Sequence, residues 1–102
     1  MKWTFETVLV AVTLSSLPIT ADASSSDAWE AFRQDVTKAC IAATKGQIKK
    51  PKLTVDPFGS DSYGLALVQG QSAHSKEVLS IICVYDKKSK KTEISGELTL
   101  PK

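Results

Sequence analysis

The side chains that could do chemistry in this chain are few and lie far apart. His74 is the only imidazole, and it sits in a polar stretch typical of a solvent-exposed turn. Asp56 and Asp61 could in principle act as an acid–base pair, as in glycosidases, but both fall in turn positions that aspartate favours for backbone reasons. No phosphate-binding glycine loop, cofactor fingerprint or metal-ligand cluster accompanies them. The sequence therefore predicts a protein that is not an enzyme and holds no cofactor or metal.

The two cysteines, Cys40 and Cys83, have a structural interpretation instead. An even pair in an exported protein normally forms a disulfide, and only one connectivity is possible within the chain. Closing a loop of this length stabilises the fold by about 4 kcal/mol in the chain-entropy model. A metal pair, a thiol nucleophile and an intermolecular bridge are the alternatives.

Export is predicted from residues 1–23. Lys2 supplies a positive start, Val8 to Leu14 is a short apolar run, and Ala21-Asp22-Ala23 has the small-residue pattern of a cleavage site. The apolar run is too short to span a membrane as a helix, which leaves a buried N-terminal helix as the alternative. We expect a cleaved signal peptide and a single periplasmic domain over 24–102 that does not insert into the membrane.

The charge of the chain limits the kinds of partner that it is expected to bind. The formal net charge of the 102 residues is only +2, and the excess lysines are concentrated in two clusters. The first covers residues 49–52. The second is a basic hairpin with Lys87, Lys88, Lys90 and Lys91. Since no aromatic stacking platform accompanies the lysines, and since the protein is expected to be exported, we expect no nucleic acid partner.

A helix followed by strands must position these residues. Asp27 as N-cap, with Glu30 three residues later, matches a capping box and predicts a helix over 27–45. Apolar residues recur there at helical spacing and share one face. They are Trp29, Phe32, Val36, Ala39, Cys40 and Ala43. Gly46 and Pro51 follow, and this order of glycine and proline is typical of a helix end.

Four strand-like runs follow the helix, over residues 53–55, 62–69, 78–85 and 92–100. The third run is the most apolar, which favours a central position in the sheet. One of its faces carries Leu79, Ile81, Cys83 and Tyr85. The pattern predicts an α+β fold, with the helix packed on a small antiparallel β-meander of about four strands and one disulfide from helix to sheet.

The segment 58–64, between the first two runs, is the best candidate for a binding site. Two hydroxyls, a carboxylate and a phenol lie there between two glycines. They belong to Ser60, Ser62, Asp61 and Tyr63. A compact loop held by a sheet presents such groups at a low cost in ordering entropy, and tyrosine is a frequent interface anchor. The same residues also suit an ordinary turn in which they satisfy local backbone groups.

The segment Gly59 to Val68, a polar loop followed by an alternating apolar strand, resembles the periplasmic inhibitors of invertebrate-type and goose-type lysozyme. In that family a loop with a serine, a glycine and a tyrosine enters the sugar-binding cleft and hydrogen-bonds the catalytic acids. The resemblance implies that Ser60 and Tyr63 take those positions and that the partner is a lysozyme or another peptidoglycan hydrolase. Asp61 stands where the family has glycine.

Two further interpretations remain open. The first is a periplasmic adaptor or envelope-stress protein that pairs with its partner through an exposed strand, either 53–55 or 92–100. The second is binding of an anionic envelope component by the hairpin Lys87 to Lys91.

Overall fold

A computed structural model describes residues 25–99, and the predicted signal peptide lies outside the described residues. The elements are α1 (Ser26–Ala43), β1 (Ile48–Val55), β2 (Tyr63–Ser72), β3 (Val78–Asp86) and β4 (Thr92–Ile94). The four strands form one sheet in the order β1-β2-β3-β4, and each neighbouring pair is antiparallel. The predicted α+β architecture is confirmed.

The start of α1 differs from the prediction. Ser25 is the N-cap, and its side-chain oxygen accepts a hydrogen bond from the backbone N–H of Asp27 at 3.3 Å. Asp27 therefore lies in the first turn, where a negative charge suits the helix dipole. Glu30 does not reach back to a cap, since its carboxylate binds Arg33 at 3.1 Å and Gln34 at 3.4 Å. Ser25 can serve as the cap because its hydroxyl, two residues before Asp27, accepts a hydrogen bond from a free backbone N–H of the first turn.

The core lies between α1 and one face of the sheet. The predicted helix face is confirmed, with Val36 and Cys40 fully buried and Phe32 and Ala39 packed against the core. The sheet contributes Ile48, Ala66, Val68, Leu79, Ile81, Cys83 and Tyr85. Gly64 allows the close approach, because a β-carbon there would lie 2.5 Å from Cγ2 of Val36.

The disulfide between Cys40 and Cys83 joins the two layers at the centre of this core. The Cα atoms are 5.9 Å apart, and neither cysteine is exposed. The predicted helix-to-sheet connection is therefore confirmed. Such a bond is typical of proteins outside the reducing cytoplasm.

The first strand is longer than predicted. It begins at Ile48 rather than Leu53, and the stretch that contains the lysine cluster is part of it. A bulge makes this possible: Lys50 and Pro51 together lie opposite Gly70, between the pairs Lys49–Gln71 and Lys52–Gln69. Lysine and proline disfavour a central strand, but an edge strand with a bulge accepts both.

The last strand is shorter than predicted, since it ends at Ile94. Beyond it, the hydroxyl of Ser95 accepts the hydrogen bond from the N–H of Ile82 at 2.9 Å, and this side chain interrupts the regular ladder. A single bridge between Ser80 and Leu98 restores pairing further along. Alternation alone could not reveal this, because Ser95 occupies a position that also suits a strand.

Candidate functional site

Two segments that the sequence presents as separate candidates meet at one end of the sheet. Tyr63, the first residue of β2, pairs with Asp86, the last residue of β3. Just beyond this pair, the N–H of Lys87 donates to the carbonyl oxygen of Ser62 at 3.0 Å. We call the combined surface of residues 58–64 and 86–91 the loop–hairpin site.

The loop is closed by its own backbone and by Asp56. One carboxylate oxygen of Asp56 accepts hydrogen bonds from the N–H groups of Phe58 at 3.1 Å and Gly59 at 3.0 Å. Gly59 has φ of 72°, a conformation in which a side chain would be strained. Asp56 thus shapes the turn in the way expected of a turn aspartate.

Ser60 and Tyr63 are bonded to each other within the loop. The Ser60 hydroxyl accepts from the N–H of Tyr63 at 3.1 Å and lies 3.3 Å from its carbonyl oxygen, to which it can donate. The N–H of Ser60 donates to the same carbonyl at 2.8 Å. The Ser60 hydroxyl is therefore occupied by the loop itself.

Lys87 holds the loop from the hairpin side. Its ammonium donates to the carbonyl oxygens of Phe58 at 2.9 Å and Ser60 at 2.6 Å. The same nitrogen lies 5.4 Å from the ring centroid of Trp29 and 5.1 Å from that of Phe32. A cation over aromatic faces and between two carbonyls is favourably placed, and it ties the loop to α1 and to the hairpin at once.

The helix supports the loop from another side. The indole of Trp29 packs edge-to-face on Phe58 with ring centroids 5.0 Å apart. Arg33 donates to the carbonyl oxygen of Pro57 at 3.1 Å. The first contact holds the Phe58 side chain and the second holds the loop main chain, and Phe58 nevertheless remains 54 % exposed.

The hairpin is shaped in the same way as the loop. Asp86 accepts hydrogen bonds from the N–H groups of Ser89 at 3.0 Å and Lys88 at 2.8 Å. These two bonds hold the pKa of the Asp86 carboxyl below its ordinary value of 3.8, and the bond from Ser89 contributes most. Lys90 has φ of 69°, which places the tip in the left-handed region. The lysines of the hairpin are thus carried on an ordered turn.

Three residues of the loop line the surface beside the hairpin. Asp61, Ser62 and Tyr63 are exposed, Tyr63 to 43 %. The Tyr63 ring stands between two shallow depressions on the hairpin side. Asp61, Lys87 and Lys88 line the first depression, and Lys91 and Glu93 line the second. The arrangement offers a phenol, a carboxylate and ammonium groups to a partner.

The sheet face that carries Tyr63 is open. Val78 is 67 % and Ile82 46 % exposed on this face, and Leu65, Leu67 and Val84 lie half-buried around Ile82. Among residues 25–99, no helix or strand packs over these side chains, since α1 lies on the opposite face. An uncovered apolar face of this kind is typical of a protein-binding surface.

The free edges of the sheet are β1 and β4. The bulge at Lys50 and Pro51 interrupts β1, and β4 has only three residues. Both features work against pairing with an added strand.

The other titratable groups lie elsewhere. His74 is in the turn between β2 and β3, at the opposite end of the sheet from the loop–hairpin site. Within residues 25–99, no three His, Cys, Asp or Glu side chains are placed to hold a metal ion. That part of the chain also contains no helix long and apolar enough to cross a membrane.

Sequence reasoning found the loop and the hairpin but missed their support. It left Trp29 among the core residues of the helix, and it treated Lys87 as one of four equivalent surface lysines. Lys87 reaches a carbonyl 29 residues away, so no local pattern could indicate the contact. The one local indication of an aromatic contact to the loop was Phe58, which stands between the proline and the glycine of a turn.

No protein-family model, curated protein or solved structure matches this chain.

Proposed function

We propose that this protein is a periplasmic inhibitor of a peptidoglycan hydrolase, and that the loop–hairpin site enters the saccharide cleft of that enzyme. The observation that carries the proposal is the exposed Tyr63 on a loop whose main chain is fixed from behind by Lys87, Arg33 and Asp56. A loop ordered before binding loses little conformational entropy in the complex. The class of target comes from the resemblance of residues 59–68 to the lysozyme inhibitors.

The bonding within the loop divides the roles of its residues. Tyr63 is the anchor, because its ring is exposed while its backbone is fixed. Ser60 shapes the loop, since its hydroxyl is engaged by the Tyr63 backbone. Asp61 is exposed and forms no ion pair within residues 25–99, so a target must offer its carboxylate a basic group rather than a catalytic acid.

The positive net charge of the chain limits which class of hydrolase is a suitable target. A chain of net charge +2 is not steered toward the strongly basic lysozymes of the animal chicken type. An endogenous lytic enzyme of the same compartment, or an acidic lysozyme, complements the lysines of the hairpin.

The first prediction concerns Tyr63→Ala. We expect the variant to fold normally and to inhibit its target about 30-fold less well or worse, because a central tyrosine anchor contributes about 2 kcal/mol or more. The measurement is the clearing of a peptidoglycan suspension by a panel of muramidases and lytic transglycosylases, with the oxidised protein added in increasing amounts.

Val78→Ala is the matched control, since Val78 is exposed on the same face at the far end of the sheet. Equal inhibition by the Tyr63→Ala variant and the wild type would place the site elsewhere. If the wild type inhibited no enzyme of the panel, the target class itself would be wrong.

The alternative function is an adaptor that pairs with a partner through β1 or β4. This alternative predicts that Thr54→Pro abolishes binding of the partner protein and that Tyr63→Ala leaves that binding unchanged. The interrupted β1 and the short β4 give this alternative less support than the loop–hairpin site has.

A further inference from the structure

A second surface lies at the end of the molecule opposite the loop–hairpin site. It combines the C-terminal half of α1 with the beginning of β1, and we call it the basic edge. Its members are Lys38, Ile41, Lys45, Lys49, Lys50, Pro51 and Lys52. All five lysines are exposed, and the chain has no acidic residue between Asp35 and Asp56. Lys38 and Lys45 share a groove with Ile48 and Pro51 of β1, so the two helix lysines lie beside the strand that carries the lysine cluster.

None of these lysines is neutralised by an ion pair within residues 25–99, where the one salt bridge joins Arg33 to Glu30. The neighbouring strand β2 carries no charged side chain at all. The basic edge therefore presents an uncompensated positive field, and it complements an anionic surface.

The basic edge also has an apolar part. A shallow groove runs between α1 and β1, with Ile41, Ala42, Ile48 and Pro51 in its floor and Lys38 and Lys45 among its lining residues. Ile41 is 42 % exposed on the helix although its neighbour Cys40 is fully buried. Protection of an edge strand against aggregation explains lysines on β1, but it does not explain Lys38, Lys45 or an exposed isoleucine on the helix.

We propose that the basic edge docks on the surface of an anionic phospholipid bilayer. The ammonium groups contact lipid phosphates, and Ile41 with the groove enters the boundary between headgroups and acyl chains. Lysine–phosphate attraction and apolar insertion together give reversible binding without a spanning segment. An anionic polymer would use the lysines alone and would leave Ile41 without a role.

The docking has a geometric consequence for the rest of the molecule. Strand β1 begins at the basic edge and ends at Val55, directly before the loop that carries Tyr63. With the basic edge on a bilayer, the loop–hairpin site points away from it. The proposed docking rests on the lysines and the groove and does not depend on the identity of the hydrolase target.

The test is sedimentation of the purified exported protein with vesicles of phosphatidylglycerol and phosphatidylcholine, and with vesicles of phosphatidylcholine alone. We expect binding to the first only. The double variant Lys45→Gln/Lys49→Gln should lower the partition coefficient about 25-fold, at about fivefold for each lysine. Ile41→Ser should lower it about fivefold through lost apolar burial.

The matched control is Lys88→Gln/Lys91→Gln, which removes the same charge from the hairpin at the other end. It should change binding less than about twofold, because those lysines lie beyond the reach of the surface potential. Equal losses in the two double variants would show that net charge alone is responsible, and they would overturn the proposal. Unchanged binding of Ile41→Ser, together with full competition by inorganic polyphosphate, would assign the lysines to an anionic polymer and overturn the bilayer as the partner.

Discussion

At the scale of single residues, Lys87 is the side chain that explains the loop–hairpin site. Four polar oxygens and a phenol in a short loop are common in proteins, and most such loops simply satisfy their own backbone. Here an ammonium group contacts two loop carbonyls and two aromatic rings, so that the loop main chain is fixed while Tyr63 stays exposed. Lys87 is a positioning residue, since it acts on a partner only through the loop.

This role predicts a local effect of Lys87→Met. The variant should remain folded, because the core lies elsewhere, but the loop should lose two charge-assisted hydrogen bonds. We expect amide hydrogen exchange at the N–H groups of Ser60 and Tyr63 to become about tenfold faster or more.

Lys88→Met is the control for this experiment, since the neighbouring lysine is exposed and donates to no loop carbonyl. Lys87→Arg should restore part of the protection, because a guanidinium can also bridge carbonyls. Identical exchange in Lys87→Met and Lys88→Met would show that the loop keeps its conformation without the ammonium.

At the scale of elements, the helix and the sheet are held together by close contact and by one covalent bond. Gly64 lets α1 approach β2, and the disulfide joins the last turn of α1 to β3, one of the two inner strands. The loop–hairpin site depends on this contact because Trp29 and Arg33 reach the loop from the helix. A helix that moved on the sheet would take two of the loop's supports with it.

Removal of the disulfide tests how much the covalent bond contributes to the stability of this packing. The double variant Cys40→Ala/Cys83→Ala should have a free energy of unfolding lower by about 4 kcal/mol. The reason is that the bond joins residues 43 positions apart and so closes a long loop in the unfolded chain. Urea unfolding followed by tryptophan fluorescence measures the change. A loss below about 1 kcal/mol would mean that the unfolded chain is already compact, so that the bond restrains it little.

At the scale of the whole molecule, the fold separates two surfaces of different chemistry. The loop–hairpin site lies at one end of the sheet, and the basic edge lies at the other. The helix and the sheet, joined by the disulfide, lie between the two surfaces. The two proposed interactions should therefore be independent.

Independence can be measured with variants already described. Lys45→Gln/Lys49→Gln should lose vesicle binding and retain full inhibition of the target in solution. Tyr63→Ala should lose inhibition of the target and keep its vesicle partition within about twofold of the wild type. The reason is that the effects of changes at distant sites are independent. A variant that loses both activities without unfolding would contradict the separation of the two ends.

Patterns within single segments of the chain were enough to predict the local parts of this protein. Helical spacing identified the buried face with Val36 and Cys40, alternation identified the inner face of β3, and a pair of cysteines left one possible connection within the chain. Each of these patterns follows from the geometry of a single element, or from a count, and needs no knowledge of how elements pack. The ends of elements were less predictable, because the cap at Ser25, the bulge at Lys50 and the interruption at Ser95 each depend on one or two hydrogen bonds.

Which of these parts lie together depends instead on how the elements pair and pack. The loop meets the basic hairpin through antiparallel pairing of Tyr63 with Asp86, and Lys38 and Lys45 of α1 share a groove with Pro51 of β1. Lys87 supports a loop 29 residues away for the same reason. Such contacts join positions distant in the chain, and they depend on register and layer packing rather than on any local preference.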